Sequence, residues 1–432
     1  MRIAQVAPLA EAVPPKLYGG TERVVSWLVE ELVSQGEDVT LFASGDSRSS
    51  ASLVPAAPQA LRLAGIRDHT ASTLAMLDEV RRRADEFDII HFHLDLLQFP
   101  LFQDISFKCI TTLHGRLDLP HFHPMYHRFS DMPLVSISDD QRRPMPPVNW
   151  VSTIHHGLPP QLYRFNGDGG RYLAFLGRIS PEKRPDRAIE IAKQSGIPLK
   201  IAAKIDPVDR EYFECEIEPL LDHPLVEFIG EIGDGEKNEF LGGALALLFP
   251  IDWPEPFGLV MIEAMATGTP VIAWRQGSVP EVITDGVSGV IVSSLEEAIA
   301  AVQQVRGMDR QGVRNSFEAR FTVARMAADY CEAFEVLLSR GGHRSPLPQI
   351  ASPVLQPTLR QRDETFGAFA NTQSHRAGAM PDRTPTCSKA AAARHALPFA
   401  SALAVDLKGD GCSKISTMPT KAGTPTDVSW RS

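Results

Sequence analysis

The segment that most restricts the fold is Phe249–Ala273, which reads FPIDWPEPFGLVMIEAMATGTPVIA. An apolar run from Ala244 to Phe249 leads into it and has the length and composition of a buried strand. A proline-rich loop, Pro250 to Pro256, follows. Phe257-Gly258 then opens a helix predicted over roughly Leu259 to Ala266, with Val260, Met261, Ala264 and Met265 on its apolar side. Gly268 is a natural stop and Pro270 blocks continuation. Val271 to Ala273 is the next strand. Strand, loop, helix and strand in that order make a parallel crossover. Sheets of this kind bind ligands in a crevice outside the carboxyl ends of their strands.

Two carboxylates sit in this unit. Glu255 lies in the loop and Glu263 about two turns inside the helix, so both are expected to look into one crevice. The backbone N–H groups of Phe257, Gly258 and Leu259 are free at the helix start, where anions and polar oxygens are favoured. Gly258 lets a ligand approach the backbone. Carboxylates for sugar hydroxyls beside N–H groups for phosphate describe a sugar-and-phosphate site. A bare Glu-x7-Glu would equally suit a solvated helix face, so the flanking residues decide the reading. Glu255-x7-Glu263, with Pro256-Phe257-Gly258 inside it and Gly268-Thr269-Pro270-Val271 after it, closely resembles the signature of the family-4 retaining glycosyltransferases of the GT-B fold.

That resemblance covers residues 1 to about 340. It implies an α/β chain of two Rossmann-like domains facing across a cleft, with a C-terminal helix crossing back. The expected limits are 1–165 for an acceptor-side domain and 166–320 for a nucleotide-sugar domain. Residues 321–340 form the crossover helix, and a disordered tail over 341–432 is expected from its scarce periodicity and its Pro, Ser, Thr and Ala.

The chain in order supplies the rest of the pattern. Arg2 to Ala7 reads as a strand rather than a signal peptide, because Gln5 and Pro8 interrupt the apolar run. A loop with Tyr18-Gly19-Gly20-Thr21 follows. The next segment is a helix to about Gln35, carrying Val24, Val25, Leu28, Val29, Leu32 and Val33 at helical spacing, and then a strand from Val39 to Ala43. The glycines do not form Gly-x-Gly-x-x-Gly, so a dinucleotide fingerprint is missing. The resemblance implies that Gly19 and Gly20 face the donor phosphates across the cleft. Residues 45–70 read as loop and Ser72 to Phe87 as helix. Strands are expected at 88–92, 110–113 and 134–137, each ending in polar residues: His91 and His93, His114-Gly115, and Ser136 with Ser138-Asp139. The resemblance places His114 near the reacting sugar carbon. It also extends to Ser136-Ile137-Ser138 with Arg142 and to Ile154-His155-His156-Gly157-Leu158, where the family usually has asparagine at the place of His156.

In the second half, a strand from Tyr172 to Leu176 runs into Gly177-Arg178-Ile179-Ser180-Pro181-Glu182-Lys183 and a helix through Ser195. Arg178 and Lys183 beside a helix start make a clamp for a diphosphate, and the resemblance gives them that role. Strands at 199–203 and 226–229 follow, and the resemblance implies that the base is held near Gly230 to Ile232. The turn Gly277-Ser278-Val279-Pro280-Glu281 and a terminal helix from Phe321 to Leu338 complete the match.

Composition narrows the chemistry. There are 43 Lys and Arg against 53 Asp and Glu, an acidic balance that argues against nucleic acid as a partner. Five scattered cysteines without a Cys-x-x-Cys pair argue against a zinc site and suit a cytoplasmic protein. No apolar run is long enough for an integral membrane segment. His91-x-His93 and His121-x-His123 invite a metal reading, but no acidic ligand pattern accompanies them. The chain contains no Asp-x-Asp, so no metal or other cofactor is expected.

The expected activity moves a sugar from a nucleotide-diphosphate sugar, most commonly a UDP-sugar in this family, to the hydroxyl of a small-molecule, lipid or glycan acceptor. The resemblance implies retention of configuration. Candidate catalytic residues are Glu255, His114, Arg178 and Lys183. The donor is expected on Gly19, Gly20, Arg178, Lys183, Glu255, Phe257, Gly258, Leu259 and Glu263. Two other classes share the architecture: a sugar-nucleotide epimerase, against which Glu-x7-Glu with Pro-Phe-Gly speaks, and a non-catalytic sugar-nucleotide sensor.

Overall fold

The computed structural model of the chain describes residues 1–16 and 19–341. Tyr18 and the expected disordered tail lie outside the described residues. Two parallel sheets form. The first contains β1 (Arg2–Val6), β2 (Asp38–Ser44), β3 (Ser52–Ala57), β4 (Ile89–Phe92), β5 (Cys109–Thr112), β6 (Leu134–Ser136) and β7 (Trp150–Thr153), in the order β3-β2-β1-β4-β5-β6-β7. The second contains β8 (Tyr172–Arg178), β9 (Leu199–Lys204), β10 (Val226–Gly230), β11 (Ala244–Phe249), β12 (Val271–Trp274) and β13 (Gly289–Val292), in the order β10-β9-β8-β11-β12-β13. The strand order reverses between β1 and β4 in one sheet and between β8 and β11 in the other. Loops leaving such reversal points diverge and open a crevice.

Two strands depart from the expectation. The stretch 45–70 is not all loop: β3 pairs parallel with β2. Pro55 lies within it, which hides its strand character, and proline is tolerated because β3 is an edge strand. β7, on the opposite edge, is half-buried along its length, so it lacks the apolar run that marks the central strands. The helix Gly20–Ser34 buries Val24, Val25, Leu28, Val29 and Leu32 against the first sheet. Each such side chain contributes roughly 1.5–3 kcal/mol by leaving water.

The helix Val323–Gly341 returns to the first sheet, with Val323, Met326, Tyr330, Phe334 and Leu337 in the same core as the first helix. The chain therefore crosses between the sheets twice, and the two crossings are tied together. Leu158 N–H donates to the Phe321 carbonyl and Val323 N–H to the Leu158 carbonyl, both at 3.0 Å. A Cβ on Gly157 would stand 2.2 Å from the Thr322 carbonyl oxygen, so this close approach of two backbones requires glycine. Among the described residues no helix is long and apolar enough to cross a membrane.

Candidate functional site

The loops after β8 and β11 meet at the second reversal point. Lys183 follows β8, and its ammonium forms an ion pair with Glu255 in the loop after β11. The same ammonium lies 4.9 Å from the Trp253 ring centre and 5.9 Å from that of Phe249, a cation–π arrangement. Between Lys183 and the helix Pro185–Ser195 stands Arg184, the one non-glycine residue at positive φ (52°) among the described residues. Its guanidinium reaches Asp186 at 2.7 Å and Asp252 at 3.0 Å. Asp252 N–H in turn donates to the Glu182 carbonyl at 2.9 Å. The strained residue thus clasps the two loops that carry Lys183 and Glu255, a place where backbone strain is commonly stored.

Arg178 ends β8 and lies among acids: Glu182 at 2.8 Å, Asp206 at 3.3 Å and Asp209 at 3.7 Å. Arg178 and Lys183, expected to form one clamp, have different acidic partners. Here Lys183 goes to Glu255, while Arg178 is engaged by acidic neighbours from its own loop and the loop after β9.

Glu255 and Glu263 also separate. Glu255 is partly exposed, whereas Glu263 is 3% exposed and takes a 3.0 Å hydrogen bond from Lys237 Nζ. Burial alone would raise the Glu263 carboxyl, but Lys237, with help from Arg23 and Tyr163, outweighs it and holds the group below its ordinary range. Lys237 also approaches Asp234 at 3.3 Å, and Asp234 pairs across the cleft with Arg23 of the first helix. No local pattern marks Lys237, Asp234 or Arg23, because the chain of charges forms only when the two halves face each other.

Gly258 caps the helix Leu259–Ala266 in the left-handed region (φ 78°), and a Cβ there would lie 2.9 Å from the Met261 methyl. Both facts require glycine. Leu259, the first helical residue, packs against both cores. Gly20 faces it: a Cβ on Gly20 would stand 3.9 Å from a Leu259 methyl. Gly19, extended, caps the first helix. Phe257 is buried at the centre, 4.9 Å from the His156 ring, 5.9 Å from His155 and 6.1 Å from Phe321.

Direct bonds join the two faces. Ser138 donates from Oγ to the Pro256 carbonyl at 2.7 Å. Glu281 accepts from Asp139 N–H at 2.7 Å and Asp140 N–H at 2.8 Å, and its carboxylate lies 3.1 Å from His155 Nε2. Ser278, in the same turn, supports the loop after β11 by bonds to the Glu255 and Phe257 carbonyls.

His114, just beyond β5, stacks on His156 at 5.3 Å with an 18° tilt. Its Nε2 lies 2.9 Å from His93 Nδ1. Burial pushes the His114 imidazolium down to about 3 and those of His91, His93 and His156 well below the ordinary value. His156, left without a role by the sequence, is therefore the ring that joins His114 to Phe257. His91 and His93 share a face as strand alternation predicts, with ring centres 4.1 Å apart. His121 and His123 sit on a separate helical turn. Among the described residues no three His, Cys, Asp or Glu side chains form a metal-binding group.

Comparison with known proteins bears on the family and the fold. The family model for group 1 glycosyl transferases matches residues 165–308, and that for glycosyltransferase family 4 matches residues 18–138. An uncharacterized glycosyltransferase of Methanocaldococcus jannaschii is 23% identical over 67% of this chain and 85% of its own. D-inositol 3-phosphate glycosyltransferase of Mycobacterium marinum is 33% identical, but the match spans only about a third of either chain (33% of this one, 34% of that one). Sucrose-phosphate synthase from Thermosynechococcus elongatus superposes with a TM-score of 0.64 at 17% identity, covering 78% of this chain and 99% of that one. Anabaena HepE in complex with UDP-glucose gives 0.56 at 17% identity, over 78% and 100%. Two parallel sheets facing across a cleft, a returning terminal helix and matches to both family models lead to one assignment: the chain belongs to the family-4 glycosyltransferases of the GT-B fold.

Proposed function

We propose that the protein transfers a sugar from a nucleotide-diphosphate sugar, a UDP-sugar in the first instance, to an acceptor hydroxyl, with retention of configuration and without a metal. The observation that carries the proposal is the placement of Lys183 on Glu255 at one reversal point, joined through Phe257 and His156 to His114 at the other face. Transfer breaks the bond from the anomeric carbon to the donor phosphate, and the departing diphosphate needs fixed positive charge and N–H dipoles. Lys183 supplies the charge once the phosphate displaces Glu255 from it, and Glu255 then turns to the hydroxyls of the transferred sugar. Arg178 adds a second cation at the β8 end. Glu263 holds the ribose, and Gly19 and Gly20 admit the phosphates from the opposite side. The N–H groups at Gly258 and Leu259 face the same region. On this reading the leaving phosphate takes the proton of the acceptor on the face it vacates. The lack of Asp-x-Asp and the cations at the phosphate position support a reaction without metal. HepE binds UDP-glucose, as its structure shows, and this makes UDP-sugars the first donors to try.

The test is incubation with UDP-, GDP- and ADP-sugars, with and without candidate hydroxyl acceptors, followed by mass spectrometry and NMR of the products. Release of nucleoside diphosphate coupled to a new glycoside of the donor's anomeric configuration is expected. An epimerised donor formed without acceptor would replace this reading with an epimerase, and binding without any turnover would replace it with a sensor.

A further inference from the structure

Two buried histidines stand at the end of β4: His91 packs on Tyr330 and Phe334 of the returning helix, and His93 turns toward His114. His93 is 3% exposed, and its two ring nitrogens are both engaged: Nε2 lies 2.8 Å from Gln5 Oε1 and Nδ1 lies 2.9 Å from His114 Nε2. Gln5 is wholly buried in β1, the strand next to β4. The Gln5 amide turns its Oε1 to His93 and leaves its Nε2 buried without a partner among the described residues; in that orientation His93 Nε2 carries the proton and donates to Gln5, because a carbonyl oxygen only accepts. Neutral His93 then has a bare Nδ1, which accepts from His114 Nε2–H. Neutral His114 is left with a bare Nδ1, which is buried and without a partner among the described residues, on a side chain that is itself only part-buried. The ring cannot tilt freely, because His156 lies parallel against it. The neighbouring branch is anchored in the same way: His91 Nε2 lies 2.8 Å from Thr112 Oγ1, and Thr112 Oγ1 lies 3.0 Å from the Tyr330 hydroxyl of the returning helix.

From this chain of bonds we infer that Gln5 and His93 are positioning residues that lock His114 in one orientation and in the Nε2–H tautomer, so that its Nδ1 offers a lone pair to a sugar hydroxyl. His114 is then a fixed hydrogen-bond acceptor for its ligand and not a proton donor. The inference rests on the proposed transfer reaction for its ligand, but its structural core, the tautomer, does not.

Nitrogen-15 NMR of the full chain labelled at histidine reads the tautomer directly, by chemical shift and two-bond coupling. His114 is expected as a single Nε2–H form with Nδ1 unprotonated. His93→Leu, with folding checked by circular dichroism, is expected to give a mixture of tautomers and to lower kcat about tenfold or more, with donor KM changed much less. His93→Asn keeps an amide oxygen near the place of Nδ1 and is expected to recover most of the rate. If His93→Leu does not fold, Gln5→Leu supplies the same comparison. A His114 Nδ1–H form or a mixture in the wild type overturns the inference, as does a wild-type rate in a folded His93→Leu protein. Failure of the wild type to transfer any sugar would count against the proposed function instead, and the NMR result would still decide the tautomer.

Discussion

The strand ends of the two sheets meet at one site but handle polarity in opposite ways. On the second sheet, opposite charges are laid in pairs: Lys183 with Glu255, Lys237 with Glu263, Arg178 with Glu182 and Asp206. On the first, three buried histidines and the part-buried His114 touch one another and stay neutral. The charged face can exchange a carboxylate for a phosphate at little net cost, because the cation is already in place. The neutral histidine cluster can orient hydroxyls but brings no positive charge to a diphosphate. The division matches a reaction in which charge develops on the leaving group and the sugar must be held.

Acid breaks this comparison most strongly. Each of His91, His93, His114 and His156 is neutral when folded and takes up a proton near its ordinary value once unfolded. The unfolded state therefore binds more protons below about pH 6.5. The stability these groups contribute is fully present above that pH and is lost as pH falls toward their depressed folded values, about 3 for His114. An unfolded histidine is half protonated at about pH 6.5, so each group loses about 1 kcal/mol between pH 6.5 and 5.5, and the four together lose up to about 4 kcal/mol. Hydrogen exchange over that window should show the first sheet losing protection before the second. Equal loss in both halves would contradict the contrast.

Lys183→Ala probes the charged face. Turnover should fall by on the order of 10²–10³, the usual loss for one preorganised electrostatic partner, and donor KM should rise because the diphosphate is charged in the ground state as well. Steady-state kinetics check both. Glu255→Gln should change kcat and KM together, since sugar hydroxyls must be held as the ring flattens.

Glu263→Gln sharpens the same face. Its neighbour Lys237 keeps Asp234 but loses its buried partner, so thermal unfolding should show a loss of about 1–3 kcal/mol. If Glu263 holds only the ribose, donor KM rises with little change in kcat. The smallest effect is expected between the faces. Ser138→Ala removes the bond to Pro256 and the cap on the helix Asp139–Arg142, which denaturant titration should register as about 1 kcal/mol.

Much of the second sheet was legible in the sequence because its signals are local. The helix Leu259–Ala266 lies where Gly258 and Gly268 bracket it, and the strands on either side are continuous apolar runs. β3 escaped notice because Pro55 breaks its run, and β7 because both its faces are half-buried. The site divided differently. Glu255, Lys183 and His114 announce themselves by the motifs around them. Gln5 and His93 are separated by 88 positions, and Arg23 and Asp234 by 211, so only the folded chain brings them together. The engagement of Arg178 by Asp206 and Asp209 has the same origin: these acids lie beyond the next strand. Glu281 stands in the Gly277–Glu281 turn that the sequence marks, but two of its partners, the backbone N–H groups of Asp139 and Asp140 in the short helix after β6, carry no side-chain signal.

The division of labour between the faces is tested most directly by calorimetric titration of UDP and of uridine, at a pH above 7, into the wild type, Lys183→Ala and His114→Ala. The wild type should bind UDP far more tightly than uridine. That difference should collapse in Lys183→Ala and persist in His114→Ala. Equal affinity for UDP and uridine in the wild type, or a UDP affinity that depends on His114 and not on Lys183, would contradict the account.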